Sequence, residues 1–275
     1  MVCRNKERGE AARDEIIRVT KNTNVELEEA DLSSMRSIRE FVDRLKAANV
    51  TVDVLVNNAG VMLPEKSTTL EGFETNFATN LLGPFYLTQQ LLPQLRLTTS
   101  GNDDDDDRVG KKVIFVSSGG MLTEKLVVDK DLQCSLMNPY DGTRAYAVQK
   151  RQQVAICEHW ARLEQERPRE PALLSSSRNQ QVTFVTCHPG WTSTEGIKNA
   201  MPSFFNAFKD KWRTLREGAD TIVFLVAQDA REIVPGGFYL DRNPQKKHLT
   251  WAGTNYSAED AERLFQKCAE LCPVD

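Results

Sequence analysis

The apolar positions of this chain fall into two alternating patterns. Residues 52–60, VDVLVNNAG, and 111–118, KKVIFVSS, are continuous apolar runs that end in turn or polar residues, as strands buried on both faces do. Residues 182–190, VTFVTCHPG, repeat the pattern, and GGFYLD (236–241) predicts a further short strand. Upstream, MVCRN and NVELEEADL (24–32) read as strands as well. Between them the period changes. SSMRSIREFVDRLKAA (33–48) spaces Ile38, Phe41, Val42 and Leu45 as one helix face, with Ser33 or Ser34 as its cap. Helical stretches are also predicted through ETNFATNLLGPFYLTQQLLPQL, across RAYAVQKRQQ, over EGADTIVFLVAQ (217–228) and at the C-terminal end.

Strands alternating with helices imply right-handed crossovers and a parallel sheet covered on both faces. The expected fold is therefore α/β: a Rossmann-like, doubly wound, three-layer α/β/α sandwich, with residues 1–275 as one domain. Ligands of such sheets bind beyond the carboxyl ends of the strands. The unusual residues fall there: Asn57, Asn58 and Gly60 after one strand, Ser117 and Ser118 after the next, Pro189 and Gly190 after the third. Two stretches read as surface insertions, the acidic TTSGNDDDDDRVG (98–110) and RPREPALLSSSRNQQ (167–181). Five adjacent aspartates do not match a Ca²⁺-loop spacing.

Composition narrows the partners. A net charge of −4 with no basic block gives no basis for nucleic-acid binding. No apolar run reaches the roughly 20 residues that span a bilayer, and MVCRNKERGE lacks the apolar core of a secretory signal. Six scattered cysteines (3, 134, 157, 187, 268 and 272) then read as reduced thiols. Cys268 and Cys272 lie one turn apart, but no second ligand pair accompanies them, so no metal is expected. The cytoplasm is the expected location, with organelle or membrane-surface association if an upstream segment exists.

RAYAVQK sets Tyr146 and Lys150 on one helix face, four residues apart. An adjacent cation favours phenolate and so lowers a tyrosine pKa, which makes the phenol a usable proton carrier near neutrality. A solvated polar helix face is the plainer reading of the same text. The wider set of motifs decides between them. NNAG (57–60), NLLG (80–83), VSS (116–118), YAVQK (146–150) and HPGWTST (188–194) occur in the order found in the short-chain dehydrogenases/reductases, and the chain resembles that family over nearly its whole length. SSGGML, PYDGTRAYAVQKRQQV and the AMPSF that follows HPGW resemble a subgroup bordering the retinol-dehydrogenase-like enzymes.

The resemblance implies an NAD(P)-dependent oxidoreductase acting on a hydrophobic alcohol, aldehyde or ketone. Tyr146 would be the general acid, Lys150 would hold the nicotinamide ribose and acidify the phenol, and Ser118 would bind the substrate oxygen, with Ser117 its rival. Asn80 would support Lys150 through water in a proton relay. Asp31 and the adjoining Leu32 would meet the adenine, and Asn57, Asn58, Ala59 and Gly60 would pack beside the adenosine ribose. Pro189, Gly190 and Thr194 would hold the carboxamide. Arg4, where the family often carries a basic residue for the 2′-phosphate, implies NADP, with NAD as the alternative. His188 reads as a packed residue and Trp191 as part of the pocket wall. Met201, Phe204, Phe205 and Phe208 lie where the family forms its substrate lid. A homodimer through the helices carrying Asn80 and Tyr146 is the expected assembly.

One departure stands out. The family's opening strand and its Thr-Gly-x-x-x-Gly-x-Gly turn have no counterpart in these 275 residues. That strand lies centrally, so its loss leaves a gap of about 10 Å between its neighbours. Retention of every catalytic residue favours a start internal to a longer protein. The competing expectation is a catalytically inactive short form that acts through protein association.

Overall fold

The computed structural model of the chain describes residues 1–97, 110–168, 181–208 and 211–273. The two expected insertions lie almost wholly outside the described residues. The chain begins with β1 (Val2–Cys3), α1 (Lys6–Thr20) and β2 (Glu28–Glu29), followed by α2 (Met35–Ala47) and β3 (Val54–Asn57). Then come α3 (Thr75–Phe77), a π turn over Ala78–Leu82, α4 (Gly83–Arg96), β4 (Lys111–Val116) and α5 (Gly142–Glu166). The last part runs through β5 (Val182–Cys187), α6 (Glu195–Ala200), α7 (Pro202–Ala207), α8 (Leu215–Ala227), β6 (Phe238–Leu240), β7 (Asn243–Pro244) and α9 (Ala258–Leu271).

Two sheets form. β1 and β2 pair in parallel, and β3-β4-β5-β6-β7 make a second sheet, parallel except for the β6–β7 pairing. Among the described residues no strand bridges β1 and β3, and the break falls where the sequence predicts it. β2 is much shorter than the expected 24–32, because Asp31 already turns to meet Ser33 and Ser37. Ser34, rather than Ser33, caps α2, and Glu71 supports that cap by accepting from the Met35 and Arg36 amides at 2.8 and 3.2 Å.

Both faces of the larger sheet are covered, which is why its strands read as unbroken apolar runs. Val113 and Phe115 of β4 and Phe184 of β5 face the core shared with α2, α4, α5 and α9. Ile114, Val116, Val185 and Cys187 face the other way, toward Leu225 of α8 and Tyr239. Trp160 of α5 stacks on Phe115 and Phe184 at 5.8 and 5.3 Å between ring centres. A close approach fixes Gly83 at the head of α4: a β-carbon there would stand 2.0 Å from the Leu32 carbonyl oxygen.

α9 covers the α4–α5 pair. Phe265 lies 5.0 Å from Phe85 of α4 and 5.3 Å from Trp160 of α5, and Cys268 and Cys272 are buried in the same core. The chain's own last helix thus packs on the helices expected to form a homodimer. No helix among the described residues is long and apolar enough to cross a membrane.

Candidate active site

The site gathers where β3, β4 and β5 end and α5 passes beneath them. Asp141 starts α5 by accepting from the Thr143 and Arg144 amides, both at 3.0 Å. Five consecutive polar residues follow within it, Gln149 to Gln153, and none is more than 2% exposed. The solvated-face reading of RAYAVQKRQQ is therefore wrong. α5 has the sheet on one side and α9 on the other, and most of its buried polar atoms find partners inside, with Arg151 Nε, Gln152 Oε1 and Gln153 Oε1 left without one.

Ser118, Tyr146 and Lys150 converge. The Ser118 hydroxyl lies close enough to the Tyr146 phenol to lower its pKa, and Lys150 Nζ stands 5.3 Å from the Tyr146 ring centre. Lys150 Nζ donates to the Val116 carbonyl at 2.8 Å. The two serines separate by role: Ser117 is buried with its hydroxyl on the Lys150 carbonyl at 3.0 Å, whereas Ser118 opens the turn that follows and accepts from Gly120 N–H. Ser118 is the serine that reaches the phenol.

The electrostatics differ from the expectation. Burial pushes the Tyr146 phenol up to about 12, against the nearby Ser118 hydroxyl, which pulls the other way. Burial also pushes Lys150 down to about 7. The expected acidification of Tyr146 by its ammonium neighbour is absent in this structure, because burial disfavours the charged form of both groups.

Asn80 sits in the π turn, a widened turn often found at functional sites. Its side chain clamps Val61, accepting from the Val61 amide and donating to the Val61 carbonyl, each at 2.8 Å. Gly60 lies over the same point: a β-carbon there would be 3.2 Å from Asn80 Oδ1 and 3.5 Å from Lys150 Nζ. Asn57 is buried and donates to Thr88 at 3.1 Å, while Asn58, Ala59 and Gly60 are exposed at the strand end.

The third strand end is built around Gly190. Its φ is +76°, where a side chain is strained, and a β-carbon would also meet the Arg213 guanidinium at 2.5 Å. Arg213 is held by Asp241 through two hydrogen bonds of 2.6 and 2.9 Å. Thr194 caps α6 by accepting from Ile197 N–H. His188 stacks on Phe238 with 7° between the rings, and burial holds it down to about 4, consistent with a packed neutral ring. Trp191 is 46% exposed and joins Phe204, Phe208 and Trp212 in one aromatic cluster.

The remaining sequence candidates are on the smaller sheet. Arg4 is exposed and directly precedes Asn5, the cap of α1. Asp31 is half-buried and accepts from the Ser33 amide and hydroxyl at 2.8 and 2.7 Å. Leu32 packs against the main core. The sequence reading missed Gln149 and Gln153, which grip Asn80 from behind, and Glu74, which holds Gln149 in turn. Their signal was present: QKRQQ is too polar for the helix at the centre of an α/β sandwich unless those groups have partners.

Comparison with known proteins places the chain in a family. The short chain dehydrogenase family model matches residues 1–124, and the chain belongs to the short-chain dehydrogenase/reductase family, a family of oxidoreductases. It is 40% identical over 272 residues to the Bos taurus dehydrogenase/reductase SDR family member 12, covering 98% of this chain and 77% of that protein. It is 32% identical to human polyprenol dehydrogenase over 259 residues, 93% of this chain and 71% of the relative. Among solved structures, the Pseudomonas aeruginosa RhlG/NADP active-site complex superposes with a TM-score of 0.59 at 21% identity, over 86% of this chain and 82% of that one.

Proposed function

We propose that this chain catalyses NADP-linked interconversion of a hydrophobic alcohol and its carbonyl compound, with Tyr146 as general acid and base. The observation that carries the reading is the convergence of Ser118, Tyr146 and Lys150 at the carboxyl ends of the parallel strands. The likeness to polyprenol dehydrogenase supports a long apolar alcohol as substrate class, and the exposed Trp191 and Phe208 offer apolar surface for it.

The residues fit the nicotinamide end of the cofactor. Gly60 leaves open the space where a β-carbon would press on Asn80 and Lys150. Lys150 and Tyr146 would hold the nicotinamide ribose, and Pro189, Gly190 and Thr194 the carboxamide. Asn57, Asn58, Ala59 and Gly60 would lie beside the adenosine ribose, Asp31 and Leu32 beside the adenine, and Arg4 at the 2′-phosphate. When bound, NADP supplies or takes the hydride; NAD is the alternative.

The protein's own groups manage the proton. A phenol raised to about 12 is protonated at neutral pH, the state needed to give a proton to a carbonyl oxygen during reduction. Ser118 adds a second hydroxyl at the same oxygen and so favours its developing charge. Lys150, near 7, takes or returns a proton at Nζ behind the phenol.

NADPH absorbance followed with a panel of prenyl and other long-chain aldehydes tests this. Tyr146→Phe is expected to lose about 10²–10⁴-fold in kcat, and full activity in that variant rejects the assignment. The split between β1–β2 and the larger sheet favours a second reading, a non-catalytic form acting by association. Micromolar NADPH binding by residues 1–275 in calorimetry overturns that one.

A further inference from the structure

Resting on the assignment of Tyr146 and Lys150 as the reacting pair, we infer that Gln149 and Gln153 are positioning residues. One turn apart on α5, they lock the π turn and so set where Asn80 stands relative to Lys150. Gln149 Oε1 accepts from Asn80 Nδ2 at 2.8 Å, and Gln153 Nε2 donates to the main-chain carbonyl of Asn80. All three residues are at most 1% exposed. A π turn leaves carbonyls out of the regular helical ladder, and the Gln153 amide serves the one at Asn80.

Orientation is imposed from Glu74. Its carboxylate accepts from Tyr140 O–H at 2.9 Å, from the Asn76 and Phe77 amides at 3.0 and 2.7 Å, and from Gln149 Nε2 at 3.4 Å. An acceptor-only group must face the NH₂ of Gln149, which turns the Gln149 carbonyl toward Asn80. Asn80 then has to present its own NH₂ to Gln149. Its oxygen is left for the Val61 amide and for the side shared by Gly60 and Lys150. One carboxylate thus fixes two amides in series, and the second of them borders the lysine.

The test compares Gln149→Leu, Gln153→Leu and the near-isosteric Glu74→Gln with the unaltered chain. Glu74→Gln keeps the shape but removes the charge and turns one acceptor oxygen into a donor, so it remains readable if a leucine variant folds poorly. In the cofactor-free protein, hydrogen exchange of the Val61 amide is expected to speed at least about tenfold. With NADPH and farnesal as the probe, kcat is expected to fall about ten- to a hundredfold, with KM within about twofold. The alkaline limb of the kcat–pH profile should move to lower pH as the Asn80 oxygen, which shares the Gly60 side with Lys150, shifts away. Unchanged Val61 exchange overturns the inference whatever the activity shows. Faster exchange with wild-type kcat and pH profile also overturns it, leaving a purely structural contact. Tyr146→Phe measured alongside separates the two claims: activity retained there rejects the reaction assignment, while the Val61 exchange still reports on the clamp.

Discussion

Lys150→Met should stabilise the cofactor-free fold while removing activity. Lys150 is 2% exposed, and burial pushes its ammonium from 10.5 down to about 7. That displacement corresponds to roughly 5 kcal/mol of preference for the neutral form. Below about pH 7 the folded and unfolded chains both carry the proton, and the native state bears the whole penalty. Between about 7 and 10.5 only the unfolded chain holds it, so stability rises with pH until the penalty is gone. Methionine fills nearly the same volume without charge. It forfeits the 2.8 Å bond to the Val116 carbonyl, a loss of about 1–2 kcal/mol.

The net gain is roughly 3 kcal/mol at pH 6, or about 5–10 °C in Tm for a chain of this size. Thermal melts of both proteins at pH 6 and pH 9, monitored by circular dichroism, measure it. The advantage of the variant should be greatest at pH 6 and shrink at pH 9. A variant that melts below wild type at pH 6, or a difference that does not change with pH, refutes the claim that the lysine is held against a desolvation cost.

Other substitutions separate positions that sequence alone leaves together. Ser118→Ala is expected to lower kcat about ten- to a hundredfold with little change in Tm, since its hydroxyl faces the reacting phenol; Ser117→Ala should cost about 1 kcal/mol of stability through the lost bond to the Lys150 carbonyl. Paired melts and NADPH assays distinguish the two. Gly83→Ala places a β-carbon 2.0 Å from a backbone oxygen that cannot give way freely, so a loss of about 3 kcal/mol or more is expected in urea unfolding. Phe265→Ala removes the ring that α9 lays on Phe85 and Trp160, and should cost about 2–4 kcal/mol by the same assay.

The strands that end at the site were legible because burial on both faces leaves a continuous apolar run, as in VIFV of β4 and VTFV of β5. α1 was not legible: only Gly9 is buried in it, and Ile16 and Val19 are exposed, so no apolar stripe marks its period. β7 escaped because Asn243–Pro244 has no strand-like text and is placed only by its antiparallel pairing to β6. The Tyr146–Lys150 spacing was read correctly as a meeting of two groups, and their ionisation was not. Proximity follows from helical geometry, but the burial of the site depends on β4 and β5, which lie far away in the sequence. The same long-range burial turned QKRQQ from a surface face into an internal network.

The two sheets raise the question of what joins them, since no strand among the described residues does. The seam is α2 and its neighbours. Arg44 of α2 reaches back to Glu28 at 3.0 Å and to the Glu29 carbonyl at 2.8 Å, while the apolar side of α2, through Ile38, Phe41 and Val42, enters the core shared with α4. Ala30 and Leu32 carry β2 into that core, and the Leu32 carbonyl rests on Gly83. Residues proposed for the adenine end of the cofactor, Arg4, Asp31 and Leu32, belong to the smaller sheet; those proposed for the nicotinamide end belong to the larger. Their relative placement is therefore set by helix packing and one backbone contact instead of a hydrogen-bonded ladder. Such packing is less directional than strand pairing, so alterations at the seam should disturb the affinity for the whole dinucleotide more than the local geometry of Ser118, Tyr146 and Lys150.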